Sequence, residues 1–314
     1  VELTIGVDVG GTKIAAGVVD RDGMVIDEVR VSTPAGTAEE VERGIVTAVQ
    51  QLADKHPVSA VGVAIAGFVD ELRSVLRFAP NLPMADRPLR EIVTAATGLP
   101  VVVENDANAA AWGEYRFGGG RGSADVVLLT VGTGLGGGIV LGNRLLRGAF
   151  GTAGEVGHVR MVPGGLPCGC GKLGCWEQYT SGSALIRQAR ALARAEPGPG
   201  ARLLELAGGD PEGISGRMVT QAATEGDPAA RRLLGEVGRW LGEGIADLAD
   251  LLDPAAVVVG GGVSEAGDLL LDPARQAYAA LLSGRQHRPH LRIVAAELGN
   301  GAGLIGAADL ARHE

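Results

Sequence analysis

The 314-residue sequence predicts an α/β fold of two similar domains with a cleft between them. Three observations lead there. Short apolar strand signals alternate with amphipathic helical stretches, the pattern of sheets covered by helices. A glycine-rich break, Phe117 to Asp125, interrupts that pattern. After it, "VVLLTVGTGLGGGIVLGNRLLRG" repeats the strand, glycine turn, strand, turn, strand of the N-terminus, with Gly10 on Gly132 and Gly11 on Thr133. Two glycine-rich turns can also resemble one another by chance, because a pattern match alone is weak.

The elements follow in order. A strand from Leu3 to Val9 ends at a Gly10-Gly11 turn, a second runs from Ile14 to Val19, and a third follows the Asp22-Gly23 turn from Met24 to Val29. Thr37-Ala-Glu-Glu40 is a capping box, so a helix starts there and continues to about Lys55. Val41, Ile45, Val49 and Leu52 are its buried stripe. A buried strand, Ala60 to Ile65, ends at Ala66-Gly67; a helix of about Leu89 to Thr97 leads into the strand Val101 to Val103. That strand runs straight into "ENDANAAAWGEY", a helix start. Beyond the repeat, residues 183 to 250 read as mostly helical, broken at "EPGPG", Glu196 to Gly200. The last long helix carries Val237, Leu241, Ile245, Leu248 and Leu252 and feeds "AAVVVGGGVSE", a buried strand with three glycines at its carboxyl end. The terminal "GAGLIGAADLARH" reads as a helix expected to pack on the first domain. The expected domains are 1–120, completed by about 301–314, and 121–300 with the helical insertion.

Composition narrows the function. Apolar residues make up 46% of the chain, enough for a substantial core rather than disorder. The net charge of −9 without a basic block argues against nucleic acid or an anionic membrane as partner. No charged-then-apolar leader opens the chain and no apolar run reaches transmembrane length. The three cysteines form one tight cluster, which does not fit a disulfide framework, so a reducing, cytoplasmic location is expected.

The chemistry starts with phosphate. Asp8, Gly10, Gly11, Thr12 and Lys13 sit in a turn between strands, where backbone N–H groups and the Thr12 hydroxyl suit an anion. A strand follows rather than a helix, so this is no Walker loop. Gly132-Thr133-Gly134 offers the same donors from the second domain. Either turn alone reads equally as an ordinary hairpin. Asn105 and Asp106 open a helix after a buried strand; both are preferred N-cap types, and Asp106 is also placed to accept a hydroxyl proton during phosphoryl transfer. Glu155 and His158, three apart, suit a polyol. His158 also heads a His-x9-Cys-x-Cys-x4-Cys set with Cys168, Cys170 and Cys175, the four N/S ligands of tetrahedral zinc. A trio of buried or redox thiols is the alternative. Glu177 follows two residues later, a carboxylate beside the metal or a solvated loop residue.

These motifs resemble the ROK family (repressors, open reading frames and kinases), and within it the bacterial glucokinases. The resemblance rests on "VDVGGTK", "VENDANAAAWGE", "VGTGLGGGIV", "GTAGEVGH", "CGCGKLGCWEQYTSG" and "VVVGGGV", in the family's order over nearly the whole chain. It implies the actin/hexokinase/Hsp70-like fold, two RNase-H-like domains with ATP in the cleft, and transfer from Mg–ATP to the 6-hydroxyl of a hexose such as glucose. It implies Asp106 as general base, and Gly67, Asn81, Asn105, Asp106, Glu155, His158 and Glu177 as sugar contacts. The two glycine turns would be the phosphate motifs, and Gly260, Gly261 and Gly262 the adenosine motif. His158, Cys168, Cys170 and Cys175 match the zinc ligands, and a homodimer or homotetramer is implied. Where many relatives carry Gly-Trp after "APNLP", this chain has Met84-Ala85-Asp86, which leaves that wall of the sugar pocket open. Seven residues precede Asp8, so the helix-turn-helix of the repressor branch is not expected. Kinases for fructose, N-acetylmannosamine or N-acetylglucosamine share the Glu/His/Asp set, and polyphosphate could replace ATP at the same turns. A non-catalytic sugar sensor would not need Asp106 and both phosphate turns. An actin- or chaperone-like ATPase would not need the zinc-held loop.

Overall fold

The structure is a computed structural model that describes residues 2–195 and 198–313. Strands β1 (Leu3–Val9), β2 (Lys13–Val19) and β3 (Val25–Ser32) form an antiparallel meander. Helix α1 (Ala38–Ala53) follows, with Thr37 as N-cap and the Thr37–Glu40 capping box in place. It returns the chain to β4 (Val58–Ile65), parallel to β1. A small antiparallel sheet comes next, β5 (Phe68–Val69), β6 (Leu76–Phe78) and β7 (Ala85–Arg87). Its strands of two or three residues are too short to show a period of two in the sequence. Met84, in the divergent segment, is buried in the core, while the Asp86 side chain is exposed on a left-handed backbone (φ 49°). Helix α2 (Leu89–Thr97) stops at left-handed Gly98 and leads to β8 (Val101–Asn105), parallel to β4, and then to α3 (Asp106–Phe117).

The second series opens with β9 (Val126–Val131), β10 (Leu135–Leu141) and β11 (Arg144–Leu145). Helices α4 (Gly182–Ala195), α5 (Ala201–Leu206), α6 (Gly216–Thr224) and α7 (Pro228–Leu252) follow. Of the expected break between α4 and α5, Glu196 and Pro197 lie outside the described residues. The series ends with β12 (Ala256–Gly260), α8 (Asp268–Leu281), β13 (Arg292–Ala295) and α9 (Ala302–Arg312). Its sheet order, β11-β10-β9-β12-β13, matches position for position the β3-β2-β1-β4-β8 order of the first sheet. The repeat read in the sequence is therefore a repeat of topology.

By contacts the chain divides into two compact units. One is Val1–Leu128 with Gly138–Gly154 and Glu297–Glu314; the other is Leu129–Gly137 with Glu155–Ala296. In the first, one face of the sheet buries Ile5, Val7, Ile14, Val61 and Val63 with the α1 stripe Val41, Ile45, Val49 and Leu52. The opposite face carries α9. Gly6 pairs in register with Gly17 on one side and Gly62 on the other, so three glycines lie in a row across β2, β1 and β4. A Cβ on Gly6 would overlap the Leu304 carbonyl, one on Gly62 would overlap that of Ala307, and the Leu304 side chain lies over Gly17. The row brings the helix backbone onto the sheet, the close approach for which a strand keeps glycine. No helix among the described residues is long and apolar enough to cross a membrane.

Candidate active site and metal centre

In the first unit the site is built where β8 becomes α3. Asn105 is the N-cap: its Oδ1 accepts from the Asn108 backbone N–H at 3.0 Å and its Nδ2 donates to the Gly67 carbonyl at 3.0 Å. Asp106 is therefore the first helical residue and not the cap. Its Oδ1 accepts only locally, from Ala107 N–H at 2.9 Å, and burial raises its pKa. Asp8, at the carboxyl end of β1, is pushed up to about 6, first by burial and then by the Asp106 carboxylate, against the pull of Lys13. Gly303, in the first turn of α9, stands beside the Asp8 carboxyl; a Cβ there would come within 3.7 Å of it. In the glycine turn, Gly10 N–H donates to the Lys13 carbonyl at 3.0 Å and the Thr33 hydroxyl donates to the Gly10 carbonyl at 2.7 Å. Gly11, Thr12 and Lys13 are exposed, and exposed Asn81 is next to Gly11. Gly67 has no room for a side chain, since a Cβ would strike the Phe78 carbonyl.

Sequence reasoning assigned nothing to Glu104, which organises this corner. It is buried; its Oε1 accepts from the Asn105 backbone N–H at 2.9 Å and from Asn108 Nδ2 at 3.2 Å. Its Oε2 lies 3.1 Å from Arg73 Nε and 2.7 Å from Arg147 Nε. A carboxylate ending an otherwise apolar strand was the available signal, because buried charges require partners.

In the second unit, Glu155 caps a single 3-10 turn, Val156–His158, that ends on His158. Gly157 packs against the Leu135 carbonyl without room for a Cβ, which fixes the turn. His158, Cys168, Cys170 and Cys175 place one ligand atom each within 4.8 Å of one another. Cys170 Sγ is 3.6 Å from Cys175 Sγ, and Cys168 Sγ is 3.6 Å from His158 Nδ1. Tetrahedral zinc with bonds of about 2.3 Å to sulfur and about 2.0 Å to nitrogen needs S···S near ~3.8 Å and S···N near ~3.5 Å. The two 3.6 Å pairs match that spacing, and the four residues together fit such an ion in kind and number. Burial pushes the Cys168 thiol up to about 12 and raises Cys175, while a backbone hydrogen bond from Lys172 lowers Cys170. A bound divalent cation reverses this preference for the neutral thiol.

The ring of His158 is oriented by the same cluster. Nδ1 faces Cys168, and Nε2 lies 3.9 Å from Glu155 Oε2. Glu177 Oε1 accepts from Cys168 Sγ at 2.9 Å, and a Cβ on Gly134 would come within 2.7 Å of Glu177 Oε2. The cysteine loop, Glu177 and the second glycine turn are thus in contact.

That turn also borders a cavity of about 730 Å³ within the second unit. Gly132, Thr133 and Gly262 line it; Gly260 ends β12, and Gly261 (φ 86°) packs on the Val131 backbone. The Gly182 N–H donates to the Gly132 carbonyl at 2.7 Å and the Ser183 hydroxyl to the Thr133 carbonyl at 2.7 Å, so the start of α4 braces the turn. Ser215, Arg217, Thr220 and Gln221, at the start of α6, form a further wall that the sequence did not suggest. Their distance along the chain from either glycine motif hides the relation. A cavity with glycine turns at one end and polar helix starts around it suits a nucleotide.

The sequence pattern of the ROK family matches residues 4–314. The chain belongs to the ROK family. A glucokinase of Streptomyces coelicolor is 55% identical over 311 residues, 99% of this chain and 98% of that protein. Among solved structures, a ROK family glucokinase from Streptomyces griseus in complex with glucose and AMPPNP is 55% identical with a TM-score of 0.89, covering 99% of this chain and all of that one. A ROK hexokinase from Thermus thermophilus is 38% identical with a TM-score of 0.84, covering 99% and 98%. The actin/hexokinase-like fold of this ROK family member, α/β with mixed sheets, agrees with these neighbours.

Proposed function

We propose that this chain is an ATP-dependent glucokinase that transfers a phosphoryl group from Mg–ATP to the 6-hydroxyl of glucose. The observation that carries the reading is Asp106, a carboxylate at a strand's carboxyl end, held in place by the Asn105 cap and raised in pKa by burial. A base moved toward neutrality, with little else to bind, is suited to take the hydroxyl proton. The 55% identical relatives named glucokinase, one holding glucose and AMPPNP, support the same substrates here.

The other residues divide the work. Asn105, Gly67, Asn81, Glu155, His158 and Glu177 hold the sugar. Asp8 with the Gly10–Lys13 turn, and Gly132 to Gly134 with Gly260 to Gly262, hold the nucleotide. Mg²⁺ carried in with the nucleotide would supply charge neutralisation for the transferred group. His158, Cys168, Cys170 and Cys175 would hold one structural zinc per chain, with all four positions filled. With His158 Nδ1 turned to the cysteines, Nε2 would be left for a sugar hydroxyl. The proposed domains are 1–120 with about 301–314, and 121–300; the contact units differ from them in placing Gly138–Gly154 with the first. We also propose a reducing cytoplasm, suited to free thiols, and a homodimer or homotetramer, which sedimentation would test.

The experiment is a coupled ADP-release assay over glucose, fructose, N-acetylmannosamine and N-acetylglucosamine, with polyphosphate as a second donor. Glucose with ATP is expected to give the highest kcat/KM. Preference for another sugar would reassign the substrate, and sugar binding without ADP release would point to a sensor.

A further inference from the structure

A second cavity, about 790 Å³, lies wholly within the first unit and shares no lining residue with the sites above. Four arginines line it, Arg73, Arg90, Arg144 and Arg147, together with Trp112 and His313. Glu71 also lines it, and buried Glu104 contacts two of the arginines from behind. Asp309, beneath Trp112 and His313, is paired with Arg116 and Arg312. The cavity keeps a positive excess in a chain whose net charge is −9.

Three of the four guanidinium groups, those of Arg73, Arg90 and Arg147, are held before any ligand arrives. Glu104 Oε2 lies within ion-pair distance of the Nε of both Arg73 and Arg147. Arg147 also donates to the Glu71 carbonyl at 2.9 Å and the Asp70 carbonyl at 2.8 Å, and Arg90 Nε donates to the Arg73 carbonyl at 3.1 Å. A guanidinium has five N–H donors, and Arg147 hydrogen-bonds through two of them; its Nε, though 2.7 Å from Glu104 Oε2, makes no aligned hydrogen bond, so donors remain for a ligand. Arg73 sits in the left-handed region (φ 55°), where glycine would be less strained. The Asp70 carboxylate stabilises that turn through the Ser74 and Val75 N–H groups at 2.8 and 2.9 Å. A long cation kept at a strained turn, with its head held in a cavity, points to a use for the head.

We propose that this cavity binds the phosphate ester of a sugar-sized polyol. The arginines take the phosphate, since the guanidinium fork matches phosphate oxygens. Trp112 offers an aromatic wall to the polyol, with its Nε1 already donating to Asp309 at 2.8 Å, and Asn143 and His313 offer polar contacts. Glu104 links this cavity to the site above, because the carboxylate that holds Arg73 and Arg147 also accepts from the Asn105 N–H. An anion drawing the arginines from Glu104 loosens the cap beside Asp106. This effect on turnover rests on the kinase reading; the binding does not.

The test is calorimetric titration of the whole chain with glucose 6-phosphate and, separately, with inorganic phosphate, alongside turnover. Arg144 is exposed on a two-residue strand, so R144E is expected to fold. R144E and R90A should each weaken glucose 6-phosphate binding by about tenfold or more, as loss of a charge-assisted contact does. H158A should leave this binding in place. Failure of both probes to saturate at millimolar concentration, or loss of binding in H158A but not in R144E, would overturn the proposal. Inorganic phosphate binding as tightly as the ester would overturn the polyol part. Binding without any effect on turnover would remove the link through Glu104.

Discussion

Asn105 and Asp106 are neighbours with opposite expected phenotypes. Asn105→Ala removes the N-cap of α3, worth about 1 kcal/mol, and the hydrogen bond to the Gly67 carbonyl, worth about 1 kcal/mol more. A loss of about 2 kcal/mol should appear in urea unfolding. Asp106→Ala removes one local accepted N–H and also a half-buried carboxylate that repels Asp8. These effects oppose one another, so stability should change by less than about 1 kcal/mol. Turnover is the reverse case. Losing a general base costs ~10² to 10⁴ in kcat, about 3–5 kcal/mol of barrier. The assays are urea titration of both variants and coupled ADP release at saturating glucose and ATP. Turnover within a few-fold of the parent in a folded Asp106→Ala chain would refute the assignment. An Asp106→Ala chain destabilised as much as Asn105→Ala would show that both residues are structural.

Three further outcomes are expected. The folded Asp8 carboxyl, at about 6, keeps a proton that the unfolded one releases above its usual 3.8, so stability should fall as pH rises from about 4 through about 6; Asp8→Asn should flatten that fall in urea titrations at stepped pH. Elemental analysis should find one zinc per chain, and Cys170→Ala, at the exposed ligand, should lose it and weaken glucose binding while ATP binding persists; equal weakening of both would mean general unfolding. Gly182→Ala would press a Cβ to 2.8 Å from the Gly132 carbonyl and shift the turn, so KM for ATP should rise with glucose affinity little changed; titration of each substrate alone decides.

The elements that a reader of the sequence can place are those whose signal is local. The Thr37–Glu40 capping box and the Val41, Ile45, Val49, Leu52 stripe identify α1, and the bounds of β1 and α2 coincide with the apolar runs that suggested them. The cysteine cluster was legible because its ligands lie within 18 residues, His158 to Cys175. Which nitrogen of His158 turns to the cysteines is a matter of side-chain rotamer, which residue spacing does not carry. Asn and Asp are equally good caps, so the division of roles between Asn105 and Asp106 needed the hydrogen bonds. Ser215 to Gln221 and Glu104 were hidden because their partners come from other parts of the chain.

The glycine row of Gly17, Gly6 and Gly62 gives this chain an unusual order of manufacture. The helix that sits on it begins at Ala302, whereas β4, the last strand of the row, ends at Ile65. A ribosome working at about 5–20 residues per second completes β4 roughly 10–50 s before it makes α9. For that time Ala15, Val19 and Ala64, which later pack under Leu304, Ile305 and Ala307, have no cover from the helix that buries them. The sheet is therefore made well before the helix that covers it, and a transcript or ribosome that stops short of Ala302 leaves a nascent chain with a ready apolar surface for chaperones to hold.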